Sequence, residues 1–100
     1  MTTVQTDAWE VVGLLGDPVR RRIVRLLTRE QLCTCHLVEE LGLKQALVSH
    51  HLRALREAGV VEASPCGRFT YYRLLPDALA AATAALGALV VDDEPARRPC

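Results

Sequence analysis

A glycine at position 42 separates two short segments of helical pattern. The first covers residues 35–41 and the second covers residues 44–58, each with apolar residues recurring on one face: Leu37, Val38, Leu41, Val48, Leu52 and Leu55. Glycine is the residue that most readily takes the left-handed conformation after a helix, and only Leu43 follows it before the next helix begins. Two helices joined by so short a turn predict a helix-turn-helix.

Signals on both sides of this pair predict the remaining elements. A first helix runs from about Trp9 to Gly16, and Asp17 followed by Pro18 then supplies a carboxylate cap and a proline at the first position of a second helix. A β-hairpin follows the fourth helix, with its turn at residues 64–67, and a last helix spans residues 76–91. The order predicts a mainly α (α+β) winged helix-turn-helix with about five helices and a β-hairpin wing.

Length and composition favour one small domain. One hundred residues with half of them apolar and 4% aromatic can bury a modest core, which we assign to residues 1–91. Residues 92–100 hold acids, prolines and arginines and are predicted to be a flexible tail. The last helix is so rich in leucine, valine and alanine that one small domain cannot cover it, and we therefore expect a homodimer through the first and last helices.

The charge is zero overall but is unevenly distributed. Residues 18–76 carry ten Lys or Arg against five Asp or Glu, while both ends are acidic. A basic centre fits a surface that faces a polyanion, although an ordinary solvated surface would look similar.

No signal peptide and no membrane-spanning stretch is visible, so we expect a cytoplasmic protein without a membrane partner. In that compartment the four cysteines are expected to be thiols.

The outward face of the fourth helix has the chemistry of a DNA-reading surface. At about 100° per residue, one side of this helix is polar and basic, and with the preceding lysine it supplies the predicted DNA-binding set: Lys44, Gln45, Ser49, His50, Arg53 and Arg56. Glutamine can pair with adenine and arginine with guanine in the major groove. Arg68 near the hairpin turn and Arg73 on the return strand would add contacts to the DNA backbone.

Cys33 and Cys35 stand at the predicted start of the third helix, where unpaired N–H groups favour a thiolate. Two soft thiolates so close in sequence predict a site for a soft ion, although small buried cysteines are the alternative. On an ideal helix, residues two apart face away from each other by about 200°. Binding both sulfurs to one ion is therefore expected to require a bent or unwound helix start.

Three segments resemble the arsenical-resistance repressor (ArsR/SmtB) family: QLCTCHL at residues 31–37, LKQALVSHHLRALREAGVV at residues 43–61 and GRFTYYRL at residues 67–74. The resemblance implies a homodimeric repressor that binds double-stranded operator DNA when free of metal and is released by an inducer ion. It places Gln45, Ser49 and His50 at the DNA. The sequence departs from the family pattern at Ala46, where proline is usual, and at His36, where an aspartate usually follows the second cysteine.

The resemblance makes arsenite the first candidate inducer, with antimonite also accepted and no obligatory cofactor. The predicted metal ligands are Cys33, Cys35 and, as a third, Cys100 on the flexible tail. Cys66, His36 or a small cellular thiol remain open as alternatives for the third position. Residues 78–91 contain no Asp, Glu, His or Cys, so the last helix cannot hold a metal site of its own.

Other functions remain open on the sequence. The same DNA-binding protein could respond to cadmium, lead or zinc, or to oxidation of Cys33 and Cys35. A small thiol enzyme is disfavoured, because neither a phosphate-binding loop nor Cys-x-x-Cys on a βαβ unit is present. A protein-interaction module of similar fold is the remaining alternative. We therefore predict a regulator and not an enzyme.

Overall fold

The structure is a computed structural model and describes residues 7–100. Its elements follow in the order α1 (Ala8–Leu14), α2 (Pro18–Leu27), β1 (Leu32–Cys33), α3 (Thr34–Leu41), α4 (Gln45–Glu57), β2 (Val61–Cys66), β3 (Phe69–Leu74) and α5 (Pro76–Gly87). The five predicted helices and the hairpin are present, and the winged helix-turn-helix prediction is confirmed. None of the helices within residues 7–100 has the length and apolar character needed to cross a membrane.

The predicted helix signals act as expected at two positions. Oδ1 of Asp17 accepts hydrogen bonds from the backbone N–H groups of Val19 (2.8 Å) and Arg20 (3.2 Å), which caps α2. Gly42 takes the left-handed conformation (φ 66°), and its N–H donates to the carbonyl of Val38 at 2.9 Å. The turn from α3 into α4 is thereby closed by local backbone chemistry.

One core joins α1, α2, α3, α4 and the base of the hairpin. Its most completely buried large side chains come from every one of these elements: Val11, Ile23, Leu37, Val48, Leu52, Leu55, Val60 and Val61. Full burial of each such aliphatic side chain stabilises the fold by about 1.5–3 kcal/mol. The packing holds the buried side of α4 against α2 and α3 and leaves the opposite side of α4 in solvent.

The sheet has a strand that the sequence did not indicate. β1 pairs antiparallel with β3 through Leu32↔Tyr72 and Cys33↔Tyr71, so the strand order is β1-β3-β2. A two-residue strand is too short to show an alternating pattern, and only its long-range partner defines it. The wing is therefore attached to the segment that leads into α3.

The last helix is shorter than predicted. It ends at Gly87 and not at residue 91, and Ala82 is its one buried residue in the structure. The apolar side chains beyond it are largely exposed, with Leu89 at 66% and Val90 at 75%. Helical turns with no packed face gain little stability from tertiary contacts. The predicted flexibility of residues 92–100 stays a prediction.

Candidate functional site

The outward face of α4 is exposed as the sequence predicted. Val48, Leu52 and Leu55 are fully buried on one side, while the polar residues of the other side lie in solvent: Lys44, Gln45, Ser49, His50, Arg53 and Arg56. A shallow groove along this face runs from Arg53 and Arg56 to Tyr72 of β3. The exposed side of α4 and the wing, from Tyr72 to the tip at Arg68, therefore lie side by side, and we call them together the α4–wing surface.

The two predicted wing arginines lie in different settings. Arg68 follows Gly67 (φ 62°) at the tip of the hairpin and is exposed. Arg73 lies near the base of the hairpin, opposite Glu62, and its Nη2 donates to a Glu62 carboxylate oxygen at 2.5 Å. Both partners of this pair are about half exposed. The cation at position 73 is thus partly neutralised within the protein, whereas Arg68 projects at the tip.

Cys33 and Cys35 lie side by side. The structure joins their sulfurs in a disulfide, with the Cα atoms 5.4 Å apart. Cys33 is buried in β1, while Cys35 is exposed in the first turn of α3. Reduction of this disulfide would leave two neighbouring thiols, one buried and one exposed.

This geometry overturns the expectation that a bent helix is needed. Cys33 is the N-cap of α3 with extended dihedrals (φ −84°, ψ 167°), so the two cysteines do not follow each other along a helix. The angle of about 200° between alternate helical residues does not apply to them. Because α3 begins after Cys33, the two sulfurs lie together while α3 stays helical from Thr34 onward.

His36 completes a cluster with the two cysteines. One ligand atom from each of the three residues lies within 4.8 Å of the others. Nδ1 of His36 accepts a hydrogen bond from the backbone N–H of Cys33 at 3.2 Å and lies 3.2 Å from its Sγ. The imidazole also meets the ring of Tyr71 edge-on, with centroids 6.0 Å apart. Two sulfurs and one imidazole nitrogen are donors that suit soft or borderline ions.

The other cysteines lie outside this cluster. Cys66 at the wing tip and Cys100 at the end of the chain are both free and exposed. Within residues 7–100, the grouping of metal-binding side chains includes neither of them. The assignment of Cys100 as a third ligand stays a prediction, and His36 is the third donor that the fold brings to the pair.

A cavity that sequence patterns did not indicate connects the thiol pair with the α4–wing surface. It has a volume of about 350 Å³, and its lining comes from β1, α3, α4 and the wing: Cys33, Thr34, Cys35, Gln45, Arg68, Phe69 and Thr70. Gln45, predicted to read a base, and Arg68, predicted to contact phosphate, therefore line the same cavity as both sulfurs.

A polar network holds α2 against α4. Nε of Arg20 donates to Nδ1 of His51 at 3.1 Å, and the His51 side chain is buried. Burial lowers the pKa of His51, so its neutral form is favoured in the folded protein. The backbone N–H of Arg20 donates to Asp17 and holds the pKa of that carboxyl below its usual range. His51 thus packs between α2 and α4 and takes no place on the exposed face of α4.

The fold and the exposed helix face define a winged helix-turn-helix protein. Residues 17–63 match the family described as bacterial regulatory protein, arsR family. The chain is 37% identical over 71 residues to an uncharacterised helix-turn-helix transcriptional regulator of Methanocaldococcus jannaschii, covering 70% of this chain and 80% of that protein.

Other relatives include regulators named for particular ions. An arsenic resistance transcriptional regulator of Pseudomonas putida is 43% identical, over 67% of this chain and 53% of its own length. A cadmium resistance transcriptional regulatory protein of Listeria innocua is 37% identical, over 59% of this chain and 50% of its own length. The chain thus spans about half the length of these two relatives.

A solved structure shows the same architecture. The crystal structure of a possible transcriptional regulator for arsenical resistance superposes with a TM-score of 0.74 and 38% identity, covering 80% of this chain and 83% of that one. The chain belongs to the arsR family of bacterial regulatory proteins. This family consists of regulators and not enzymes, as the sequence predicted.

Proposed function

We propose that this protein is a cytoplasmic, homodimeric repressor that binds operator DNA and is released when arsenite or antimonite binds the reduced thiols of Cys33 and Cys35. The observation that carries the proposal is that both sulfurs share one opening with Gln45 of α4 and Arg68 of the wing. Family membership and the arsenic-resistance name of the Pseudomonas putida relative support it.

The DNA-binding half of the proposal follows from the α4–wing surface. The exposed side of α4 has the width and polarity that suit the major groove, with Gln45, Ser49 and Arg53 toward base edges. Arg68 at the wing tip would contact the backbone beside the groove, and such contacts add affinity without reading sequence. Arg73 contributes less to this surface, because Glu62 already binds its guanidinium.

Coupling between ion and DNA follows from where the cysteines are attached. Cys35 belongs to α3, which supports α4 across the turn at Gly42, and Cys33 belongs to the sheet that carries the wing. An ion held by both sulfurs therefore acts on the two elements that would meet the DNA. A coupling free energy of about 1–3 kcal/mol would weaken operator binding roughly 5- to 150-fold.

Homodimerisation is supported by exposed apolar side chains on neighbouring elements. α1 packs against α5, and large side chains of both regions remain in solvent: Trp9, Leu86, Leu89, Val90 and Val91. Several large apolar side chains exposed on neighbouring parts of the chain favour an interaction site. A second copy of the same chain, paired through this surface, would place two copies of α4 on the two halves of one operator.

Two observations favour an alternative signal for the same repressor. The imidazole of His36 beside the two sulfurs would suit cadmium or zinc better than it suits arsenic. The direct pairing of the Cys33 and Cys35 sulfurs would equally suit a protein that responds to thiol oxidation. Binding of cadmium, lead or zinc, or release on oxidation, remains the second candidate.

One experiment tests the proposal. Binding of fluorescent operator DNA is measured by anisotropy with the protein reduced by a phosphine, with and without arsenite, in the wild type and Cys33→Ser. Arsenite should release the wild type but not the variant, while Cys66→Ser, a matched change of an exposed cysteine, should respond like the wild type. Release by cadmium but not by arsenite would show that cadmium, and not arsenite, is the inducer. Failure of the wild type to bind operator DNA would contradict the whole proposal.

A further inference from the structure

The cavity beside the thiol pair has the lining of a small-molecule site. We propose that it binds a small thiol carrying a negative charge, which supplies the third sulfur to an ion held by Cys33 and Cys35. This inference rests on the proposed function, because it needs an ion at the two cysteines. It goes further by assigning the third ligand to a molecule from solution instead of to a residue of the chain.

The size and polarity of the cavity match such a molecule. Its volume of about 350 Å³ lies within the range of roughly 300–1,000 Å³ that is usual for small-ligand sites. Arg68 offers a guanidinium, which pairs with a carboxylate through two parallel hydrogen bonds. Gln45 offers an amide, Thr34 and Thr70 offer hydroxyls, and Phe69 offers an apolar ring. One end of the cavity therefore suits sulfur and the other suits a carboxylate.

The described part of the chain offers no third sulfur at this position. Within residues 7–100, the cluster around the pair contains His36 but neither Cys66 nor Cys100. Nδ1 of His36 is engaged by the Cys33 N–H, and His36 is absent from the lining of the cavity. A soft ion prefers sulfur to imidazole nitrogen. Cys35, in contrast, is exposed and lines the cavity, so an ion on its sulfur faces the space that the small thiol would fill.

The binding step balances without an oxidant or a reductant. Arsenite enters as arsenous acid, As(OH)₃, and meets three thiols: Cys33, Cys35 and the small molecule. Three As–O bonds break and three As–S bonds form, and each thiol proton leaves with one hydroxide as water. Arsenic stays trivalent throughout, and the two cysteines must be in their reduced form before the step.

The bound small thiol would block two side chains that the proposed function assigns to DNA binding. Gln45 and Arg68 line the cavity, and the proposed function assigns both of them to operator contacts. A carboxylate paired with Arg68 would remove a cation from the wing tip, and the body of the molecule would cover Gln45. Ligand and operator would then compete for the same two side chains, which gives the negative coupling a direct physical cause.

The test uses three small thiols that differ in charge and needs no DNA. Phosphine-reduced protein is titrated with arsenite in the presence of equal, limiting concentrations of 3-mercaptopropionate, 2-mercaptoethanol or cysteamine. Arsenic–sulfur charge-transfer absorbance reports binding, and native mass spectrometry counts the bound thiols. In the wild type we expect one arsenic and one small thiol per chain, and 3-mercaptopropionate should raise the apparent affinity about two- to fivefold over cysteamine.

Two wing variants supply the contrast. Arg68→Gln should abolish the preference for the anionic thiol, and Arg73→Gln should keep it, because Arg73 binds Glu62 and does not line the cavity. Equal affinity with all three thiols, equal loss in both variants, or a complex of arsenic without a small thiol would overturn this inference while the proposed function stands. Absence of any arsenic–sulfur band in the wild type would instead overturn the proposed function.

Discussion

The backbone of Cys33 pairs with that of Tyr71 in the ladder between β1 and β3. The buried sulfur of the thiol pair is thereby fixed to the strand that returns from the wing tip. The ring of Tyr71 contacts the ring of His36, and Nδ1 of His36 accepts a hydrogen bond from the backbone N–H of Cys33. Strand β3, the start of α3 and Cys33 are therefore linked to one another by direct contacts. A change at the sulfurs can therefore reach the wing directly, through the pairing of β1 with β3.

Substitutions on the α4–wing surface should distinguish contacts that recognise DNA bases from contacts that bind the DNA phosphate backbone. Arg68→Ala is expected to weaken binding to every DNA sequence and to reduce the salt slope by about one unit, because one phosphate contact is lost. Gln45→Ala is expected to lower discrimination between operator and mutant operator by about 1–3 kcal/mol. Titrations with both DNAs at several salt concentrations measure the two effects.

Arg73→Ala is the control for that comparison. Its guanidinium is already bound to Glu62 at the base of the hairpin, so its removal should change the salt slope less than removal of Arg68 does. If Arg73→Ala and Arg68→Ala weaken DNA binding equally, the wing does not approach DNA by its tip and the docking geometry is wrong.

Each cysteine of the pair should be needed for induction but not for repression. Cys33→Ser and Cys35→Ser are expected to bind operator like the wild type and to resist release by arsenite, because one sulfur cannot bridge the ion to both β1 and α3. Cys66→Ser should be released normally. Operator binding against arsenite concentration measures this, and normal release of both single variants would place the inducer elsewhere.

Cys100→Ser decides the remaining prediction for the third ligand. Weaker induction in this variant would support Cys100 as a ligand supplied by its own or a partner chain. An unchanged response would leave the third position to His36 or to a molecule from solution. Both outcomes are read from the same titration.

A charge in the apolar segment that follows α5 should disrupt the proposed dimer. Leu89 is 66% exposed, and Leu89→Glu would bury an unpaired carboxylate if a second copy covers it. Sedimentation at micromolar concentration should then show a monomer, and operator affinity should fall with it. Phe69→Glu, a similar change on the 52% exposed wing residue, should leave the oligomeric state unaltered. A stable dimer of Leu89→Glu would exclude this face as the interface.

Stability should fall in mildly acidic solution because of His51. Burial holds its folded pKa below the ordinary value of 6.5, so the unfolded chain binds a proton more readily than the folded one. Its contribution to the free energy of unfolding is present above that value and is lost as the pH falls from 6.5 through the folded pKa. Denaturant titrations across this range should show the loss, and His51→Gln should flatten it. An unchanged slope in the variant would assign the effect to other groups.

Local chemistry made much of the fold predictable. Asp17 followed by Pro18 predicts the start of α2, and Gly42 predicts the turn between α3 and α4. The apolar spacing of α4 predicts which of its sides is exposed. Each of these signals depends only on residues that are close in sequence: a helix cap, a glycine in the left-handed conformation, or a helical period. The candidate DNA-binding residues followed from the same periodicity, and so they could be named before the structure was known.

The thiol site depended on contacts between distant parts of the chain. Residues 31–37 alone suggested two cysteines on opposite sides of a helix, whereas pairing with β3, some forty residues later in the chain, holds Cys33 extended and turns its sulfur toward Cys35. The cavity that joins the pair to Gln45 and Arg68 likewise exists only where four elements meet. The sequence by itself therefore determined the helices, their exposed faces and the residue types of the site. Tertiary structure decided which of those residues share a space, because the periodicity of a segment shows which side is buried but not which distant segment pairs or packs with it.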